Sequence, residues 1–367
     1  MCKLFRVCML MCLVSREVIR AKSGPNGFSL STYFRFLCSN ISSHWARFKP
    51  QCLQEIYRSS LHLGDQAPLH WPKRWSEQIN SQFLLKLPSR KYIQKSEDGT
   101  IKFLHELTDG NSVETVLIPF SKRYTVCLST QVGCAVRCSF CFTGKQGLKR
   151  HLSCEEIVGQ YISSYLYLKE ITGPKVMAPS IVFMGQGEPL HNFDEVKRSI
   201  EVLTGEYALG LGFRQVTLSS SGFLPGLKRL AELPPINLAL SLHSTFNDRR
   251  SELIPINSKW PLESIFKELD QVKLLNRQSI TYEYLLIAGF NDRTEDVEGL
   301  VRWLAPRRAL INLIAFNPFP GSQYQRPTDD SVKSFKAALL SHGLRAMVRT
   351  TKGDEILAAC GQLNTAT

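Results

Sequence analysis

The stretch Cys127-Leu128-Ser129-Thr130-Gln131-Val132-Gly133-Cys134-Ala135-Val136-Arg137-Cys138-Ser139-Phe140-Cys141 decides how this chain is read. Cys134, Cys138 and Cys141 stand at the spacing C-x3-C-x2-C, which brings three thiolates onto one tight loop. Iron–sulfur cubanes are usually held by four cysteines. Three local ligands leave one iron open to a substrate or cofactor. The same three, joined by His151 or Cys154, also fit a structural zinc site. Disulfides fit poorly, because the chain is basic and carries no clear secretory signal.

Working outward, strand-like and helix-like segments alternate from about residue 124. β-Branched or apolar runs predict strands at Tyr124–Gln131, Ser180–Gly185, Gln215–Ser221, Ile236–His243, Ser279–Ile287, Ile311–Phe316 and Arg345–Thr350. Helices are predicted between them, at Cys154–Glu170, Phe193–Thr204, Leu224–Leu233, Leu262–Leu275, Thr294–Leu304 and Ser331–Ser341. Ser153 and Glu156 form a capping-box pattern before the first. Phe266, Leu269, Val272 and Leu275 recur at helical spacing and mark a core face. Such alternation implies a parallel sheet with crossover helices. About six units predict a partial (β/α)6 barrel, whose functional groups collect at the C-terminal strand ends. The cysteine loop falls at one such end. Upstream, Ile93–Leu107 reads as a hairpin around an Asp98-Gly99 turn, and Val113–Ile118 as a strand.

The net charge of +13 over 367 residues favours a polyanionic partner, nucleic acid before membrane. Lys122-Arg123, Lys149-Arg150, Arg249-Arg250 and Arg307-Arg308 cluster it. No apolar run approaches the roughly 20 residues that span a bilayer. The first 54 residues hold a single acid, Glu17, and are rich in Ser and Cys. This bias is that of an organellar transit peptide, most simply mitochondrial, with a cytoplasmic protein as the alternative.

Other strand ends carry polar groups. Met184-Gly185-Gln186-Gly187-Glu188-Pro189 offers glycines that admit a ligand to the backbone and a carboxylate that can accept from a ligand ammonium. Ser219-Ser220-Ser221-Gly222 and Ser241-Leu242-His243 place hydroxyls where they suit ribose or carboxylate contacts. Asn317-Pro318-Phe319-Pro320-Gly321 ends another strand in a rigid loop. Each alone is equally well strand-end capping; four together on one barrel face point to a ligand site. Near the terminus, Cys360 lies in Ala358-Ala359-Cys360-Gly361-Gln362-Leu363. Taken alone, Cys360 is an incidental thiol and Cys127 a strand core residue.

The triplet with Phe140 before its last cysteine is similar to the signature of the radical S-adenosylmethionine (SAM) enzymes. More closely, the chain resembles the RlmN/Cfr family of radical-SAM RNA methyltransferases, which methylate adenine. The resemblance rests on Val113-Glu114-Thr115-Val116, the Cys127–Cys134 string, the Gly-Glu-Pro loop, Ser241-Leu242-His243, Asn317–Gly321 and the Ala-Ala-Cys-Gly-Gln-Leu tail. It runs from about residue 90 to 363.

The resemblance implies a [4Fe–4S] cluster on Cys134, Cys138 and Cys141, and SAM contacts from Gly187, Glu188, Ser219, Ser241, Leu242, His243 and Asn317. It implies two SAM molecules per turnover. One methylates Cys360; the other yields the radical that takes hydrogen from the S-methyl group, which then adds to adenine. Glu114 is implied to remove the ring proton, and Cys127 to release the base by forming a disulfide with Cys360. The implied substrate is adenine C2 of large-subunit ribosomal RNA, with transfer RNA as a further one; C8 is the variant within the family, and a zinc-stabilised RNA-binding protein the reading from another class. An electron-donor protein and a monomeric state are implied too.

Two positions depart from the family pattern. Gln186 stands where Met is usual, and His151 where Asn is common. The expected organisation is a transit segment at 1–43, an accessory RNA-docking region, helical in the family, at 44–110, and the barrel with its catalytic tail at 111–367.

Overall fold

The computed structural model describes residues 87–365 apart from 122 and 206–208. The transit segment and most of the accessory region, with its expected helices, lie outside the described residues. Strands are β1 (Ser89–Lys95), β2 (Ile101–Glu106), β3 (Ser112–Phe120), β4 (Arg123–Cys127), β5 (Gln131–Gly133), β6 (Leu148–His151), β7 (Ser180–Phe183), β8 (Val216–Ser220), β9 (Asn237–Ser241), β10 (Ile280–Leu286), β11 (Ala309–Ala315) and β12 (Ala346–Val348). Helices are α1 (Phe142–Gln146), α2 (Cys154–Thr172), α3 (Phe193–Thr204), α4 (Leu224–Leu227), α5 (Asn247–Leu253), α6 (Leu262–Leu269), α7 (Thr294–Leu304) and α8 (Asp329–Ser341).

Ten strands form one open sheet in the order β1-β2-β3-β4-β7-β8-β9-β10-β11-β12. From β4 to β12 every neighbouring pair is parallel. This is the expected partial barrel: each crossover passes through a helix, so each strand delivers its C-terminal end to the same rim. β10 is buried at six of its seven positions, as a strand covered on both faces must be. α3 shows the complementary pattern, burying Phe193, Val196, Ile200 and Leu203 at helical spacing.

β1 and β2 form the expected hairpin, closed by Ser96 N donating to Thr100 O at 2.8 Å, with Gly99 at φ 83°. Both strands pair into the barrel sheet through β3. The compact unit begins at Leu87, so the expected boundary at 110/111 falls inside the sheet.

Several helices differ from expectation: the one expected over Leu224–Leu233 ends at Leu227, and α1 was not expected. The periodic run from Leu262 ends at Leu269, and Leu275 is 46% exposed rather than in the core. α5 lies where no apolar periodicity exists. The charge clusters differ as well. Arg150 pairs with Glu156 and Asp109, Arg307 with Asp270, and Arg249 with Glu295 and Asp296. Arg250 is wholly buried. Those arginines therefore serve the fold before any partner. Among the described residues no helix is long and apolar enough to cross a membrane.

Candidate active site

β4 ends at Cys127, and the chain then runs through β5 into the cysteine loop. β5 pairs with β6 beyond the loop, so a two-stranded collar closes it. Cys134 N donates to Gly147 O at 3.1 Å, Cys141 N to Cys138 O at 3.2 Å, and Gly144 N to Cys141 O at 3.1 Å. Gly133 has φ 75°, and a Cβ there would lie 1.8 Å from the Gly147 carbonyl oxygen. Only glycine fits. The three thiols share a neighbourhood: Cys134 and Cys138 each feel the charge of Cys141 and of Glu188. Burial pushes all three upward, Cys134 to about 12. They become thiolates on coordination to a metal.

The donor set discriminates between the two metal readings. His151 Nδ1 is bonded to Gln131 Nε2 at 2.9 Å, and the Cys154 thiol faces Ser199, so neither joins the triplet. Among the described residues no three His, Cys, Asp or Glu side chains converge on a point that holds a single ion. A zinc site demands sulfurs about 2.3 Å from one centre. A cubane puts each thiolate on its own iron and takes a wider triangle. Three thiols on one loop, without a fourth ligand, fit the cluster with one iron left open.

The rim beside this loop is built by strand ends. Gly187 has φ 100°, and a Cβ there would lie 2.6 Å from Gln131 Cβ. Glu188 is 3% exposed. Its carboxylate accepts from Ser221 N at 2.8 Å, Ser221 Oγ at 2.6 Å and Leu190 N at 3.0 Å. It thus ties the ends of β7 and β8 together, a role its place in the sequence did not reveal. Ser219, Leu242 and His243 are buried on the same rim. The His243 ring meets Phe140 of the cysteine loop edge to face, centroids 4.7 Å apart. Leu285 N donates to His243 Nδ1 at 3.0 Å, and burial lowers the ring's pKa to about 3. The ring is therefore neutral, with its proton on Nε2. Thr130 Oγ1 and Gln186 Nε2, both buried near this rim, have no protein partner. Buried orphans of that kind suit a polar ligand.

The C-terminal tail brings the remaining candidates together. Cys127 and Cys360 line one small cavity with Met184, Asn317 and Arg349. Ala358 and Leu363 pack against Cys127. Both thiols are free; burial first, then the neighbouring Cys360, pushes Cys127 up to about 12, while Arg349 opposes. Asn317 Nδ2 donates to Cys360 O at 3.2 Å, and Phe142 N to Gly361 O at 2.7 Å. Asn364 N donates to Glu114 Oε2 at 2.6 Å. Cys127, at the end of the first barrel strand, and Cys360, after the last, thus meet because the tail folds back over the mouth.

Sequence reasoning missed Lys102, Arg349 and Arg250. Lys102 sits directly across the hairpin pairing from Val116 and reaches Glu114, a contact legible only once the register is known. Arg349 follows β12 at a strand end, which was its one available signal.

The family model described as "Radical SAM superfamily" matches residues 128–304. A protein called "Dual-specificity RNA methyltransferase RlmN" from Syntrophus aciditrophicus is 41% identical over 288 residues, 78% of this chain and 82% of that protein. One of the same name from Syntrophobacter fumaroxidans is 43% identical over 74% of this chain and 78% of its own length. Among solved structures, a radical SAM methyltransferase from Sphaerobacter thermophilus superposes with a TM-score of 0.77 at 34% identity, covering 85% of this chain and 92% of that one. A barrel with its cysteine loop at the strand-end rim defines a radical-SAM enzyme. The chain belongs to the RlmN/Cfr family of radical-SAM RNA methyltransferases. Its cofactors are a [4Fe–4S] cluster and SAM.

Proposed function

We propose that this enzyme methylates C2 of an adenine in large-subunit ribosomal RNA, and in transfer RNA as a second substrate, through a methylated Cys360. The reading is carried by one observation: the tail that places Cys360 in a cavity with Cys127 also binds the Glu114 carboxylate through Asn364. The relatives' name, with its two specificities, supports both RNA substrates.

When bound, the cluster and SAM supply the methyl group and the hydrogen-abstracting radical that an unreactive aromatic C–H requires. The chain supplies placement and proton handling. Cys134, Cys138 and Cys141 hold the cluster; Gly187, Glu188, Ser219, Ser241, Leu242, His243 and Asn317 line the SAM site. Cys360 is the methyl acceptor, fixed by Asn317 through its carbonyl. Arg349, within electrostatic reach of both sulfurs, opposes the rise that burial imposes on Cys127. Glu114 takes the ring proton of the adduct, whose unpaired electron passes to a one-electron acceptor of the iron–sulfur class, leaving a closed-shell thioether link. Cys127 then bonds to the Cys360 sulfur, the Cys360–carbon bond breaks, and its electron pair leaves with the methylated base, which is protonated. The enzyme acts as a monomer, draws electrons from a donor protein and uses the accessory region, residues 44–110, to dock RNA.

Mass spectrometry of nucleosides from RNA treated with the reconstituted enzyme tests this. Substrate adenosine deuterated at C2 should lose its deuterium on methylation. Loss from a C8 label would assign the C8 product instead, and no methylation of either RNA would sink the reading.

A further inference from the structure

Arg250 is the largest side chain that the described fold buries completely, at 0% exposure. It lies in α5, between the cysteine loop and the SAM rim. Its Nη2 donates to Ser221 O at 2.7 Å and Ser241 O at 2.8 Å, its Nε to Leu242 O at 3.0 Å, and its Nη1 to Asn257 Oδ1 at 2.7 Å. One guanidinium thus fastens the ends of β8 and β9, the strands that bear Ser219, Ser241 and Leu242. Every one of these acceptors is neutral. A buried cation without a carboxylate is costly, so its retention calls for a negative charge nearby. Within its electrostatic reach lies Cys138, whose sulfur becomes anionic on coordination. The same helix also holds the cysteine loop: Ser139 N donates to Leu253 O at 3.0 Å and Ser139 Oγ to Glu252 O at 2.9 Å. Leu253 and Ile254 pack with Val136, Cys134, Cys138 and Phe140.

We propose that Arg250 is a positioning residue with two effects, clamping the strand ends that form the SAM site and placing an uncompensated positive charge beside the cluster, which eases its reduction. The second effect rests on Cys138 being a cluster ligand. Adding an electron makes the cluster more negative, and a fixed neighbouring cation in a water-poor interior favours that state.

Two variants separate the effects. Arg250→Lys keeps the charge but cannot span two strand ends with a forked head. SAM affinity, measured by calorimetry on the reconstituted protein, should fall about tenfold or more, a loss of roughly 1.4 kcal/mol, with the cluster midpoint potential little changed. Asn257→Asp keeps the oxygen that accepts from Arg250 and neutralises its charge, while giving up the Nδ2 bonds to Asn247 and Ser251, neither of which is a SAM-site residue named above. Its midpoint, from an EPR-monitored redox titration, should move to more negative values while SAM affinity stays near that of the parent. Unaltered SAM binding in Arg250→Lys overturns the clamp, and an unaltered midpoint in Asn257→Asp overturns the charge effect. If Asn257→Asp and Arg250→Gln lose their iron while Arg250→Lys keeps it, the charge is needed for cluster retention, which supports the proposal. If all three lose it, Arg250 is a folding residue and the proposal fails. A parent protein without iron would instead refute the assignment of the cysteine loop.

Discussion

Lys102 Nζ lies 3.0 Å from Glu114 Oε1, and the two side chains retain 10% and 5% of their exposure. Burial raises the Glu114 pKa, and Lys102 is the largest influence pulling it back. A base must be ionised, so methylation should rise as pH climbs through that pKa. Lys102→Met removes the largest opposition to burial, leaving only the Asn364 bond, and moves the acid limb of the single-turnover pH profile to higher pH. A limb that stays in place would separate Lys102 from Glu114 ionisation. Glu114→Gln cannot take a proton at all. It should bind SAM normally and accumulate an RNA adduct with little product.

Cys360 and Cys127 should fail differently. Cys360→Ala has no methyl acceptor and should give neither product nor adduct. Cys127→Ala still adds the carbon to adenine but cannot release it, so a covalent protein–RNA band should appear on a denaturing gel. Methylation by Cys360→Ala, or no adduct in either variant, would exclude the methylcysteine route.

Each of Cys134→Ala, Cys138→Ala and Cys141→Ala removes one of three thiolates, and among the described residues no fourth ligand compensates. All three should lose most of their iron and form no 5′-deoxyadenosine when a reductant is supplied. Full 5′-deoxyadenosine formation in any one of them would remove that cysteine from the ligand set.

We propose an organellar, most simply mitochondrial, address from the acid-poor N-terminus. A fusion of residues 1–54 to a fluorescent protein should collect in mitochondria. Diffuse cytosolic fluorescence would count against it.

The barrel was legible because its strands and most of its helices obey simple periodicities. Phe193–Thr204 and Thr294–Leu304 match the structure residue for residue, and Ser153 with Glu156 does form the capping box. α5 was not legible, for a physical reason. Its buried positions are Arg250 and Leu253, and its sequence Asn-Asp-Arg-Arg-Ser-Glu-Leu carries no apolar stripe. A helix anchored by a guanidinium looks like a charged loop until its acceptors, backbone or amide oxygens on two strand ends and a following turn, are in view. The cysteine loop could be read from spacing, since its ligands are local. The meeting of Cys127 with Cys360 came from family resemblance, because no local pattern encodes a contact across 233 positions. The Glu188 tie to Ser221 escaped notice for the same reason: it joins two strand ends whose adjacency belongs to the sheet order.

The cavity between Cys127 and Cys360 measures about 30 Å³, room for a water or two and far too little for a purine. With the tail seated, Cys127 is buried while Cys360 keeps part of its surface, so one sulfur lies outside the other. The bonds from Asn364 to Glu114 and from Phe142 to Gly361 hold the tail in that place. An arriving molecule meets the outer sulfur first, and the order in which the two cysteines act is written in their depth.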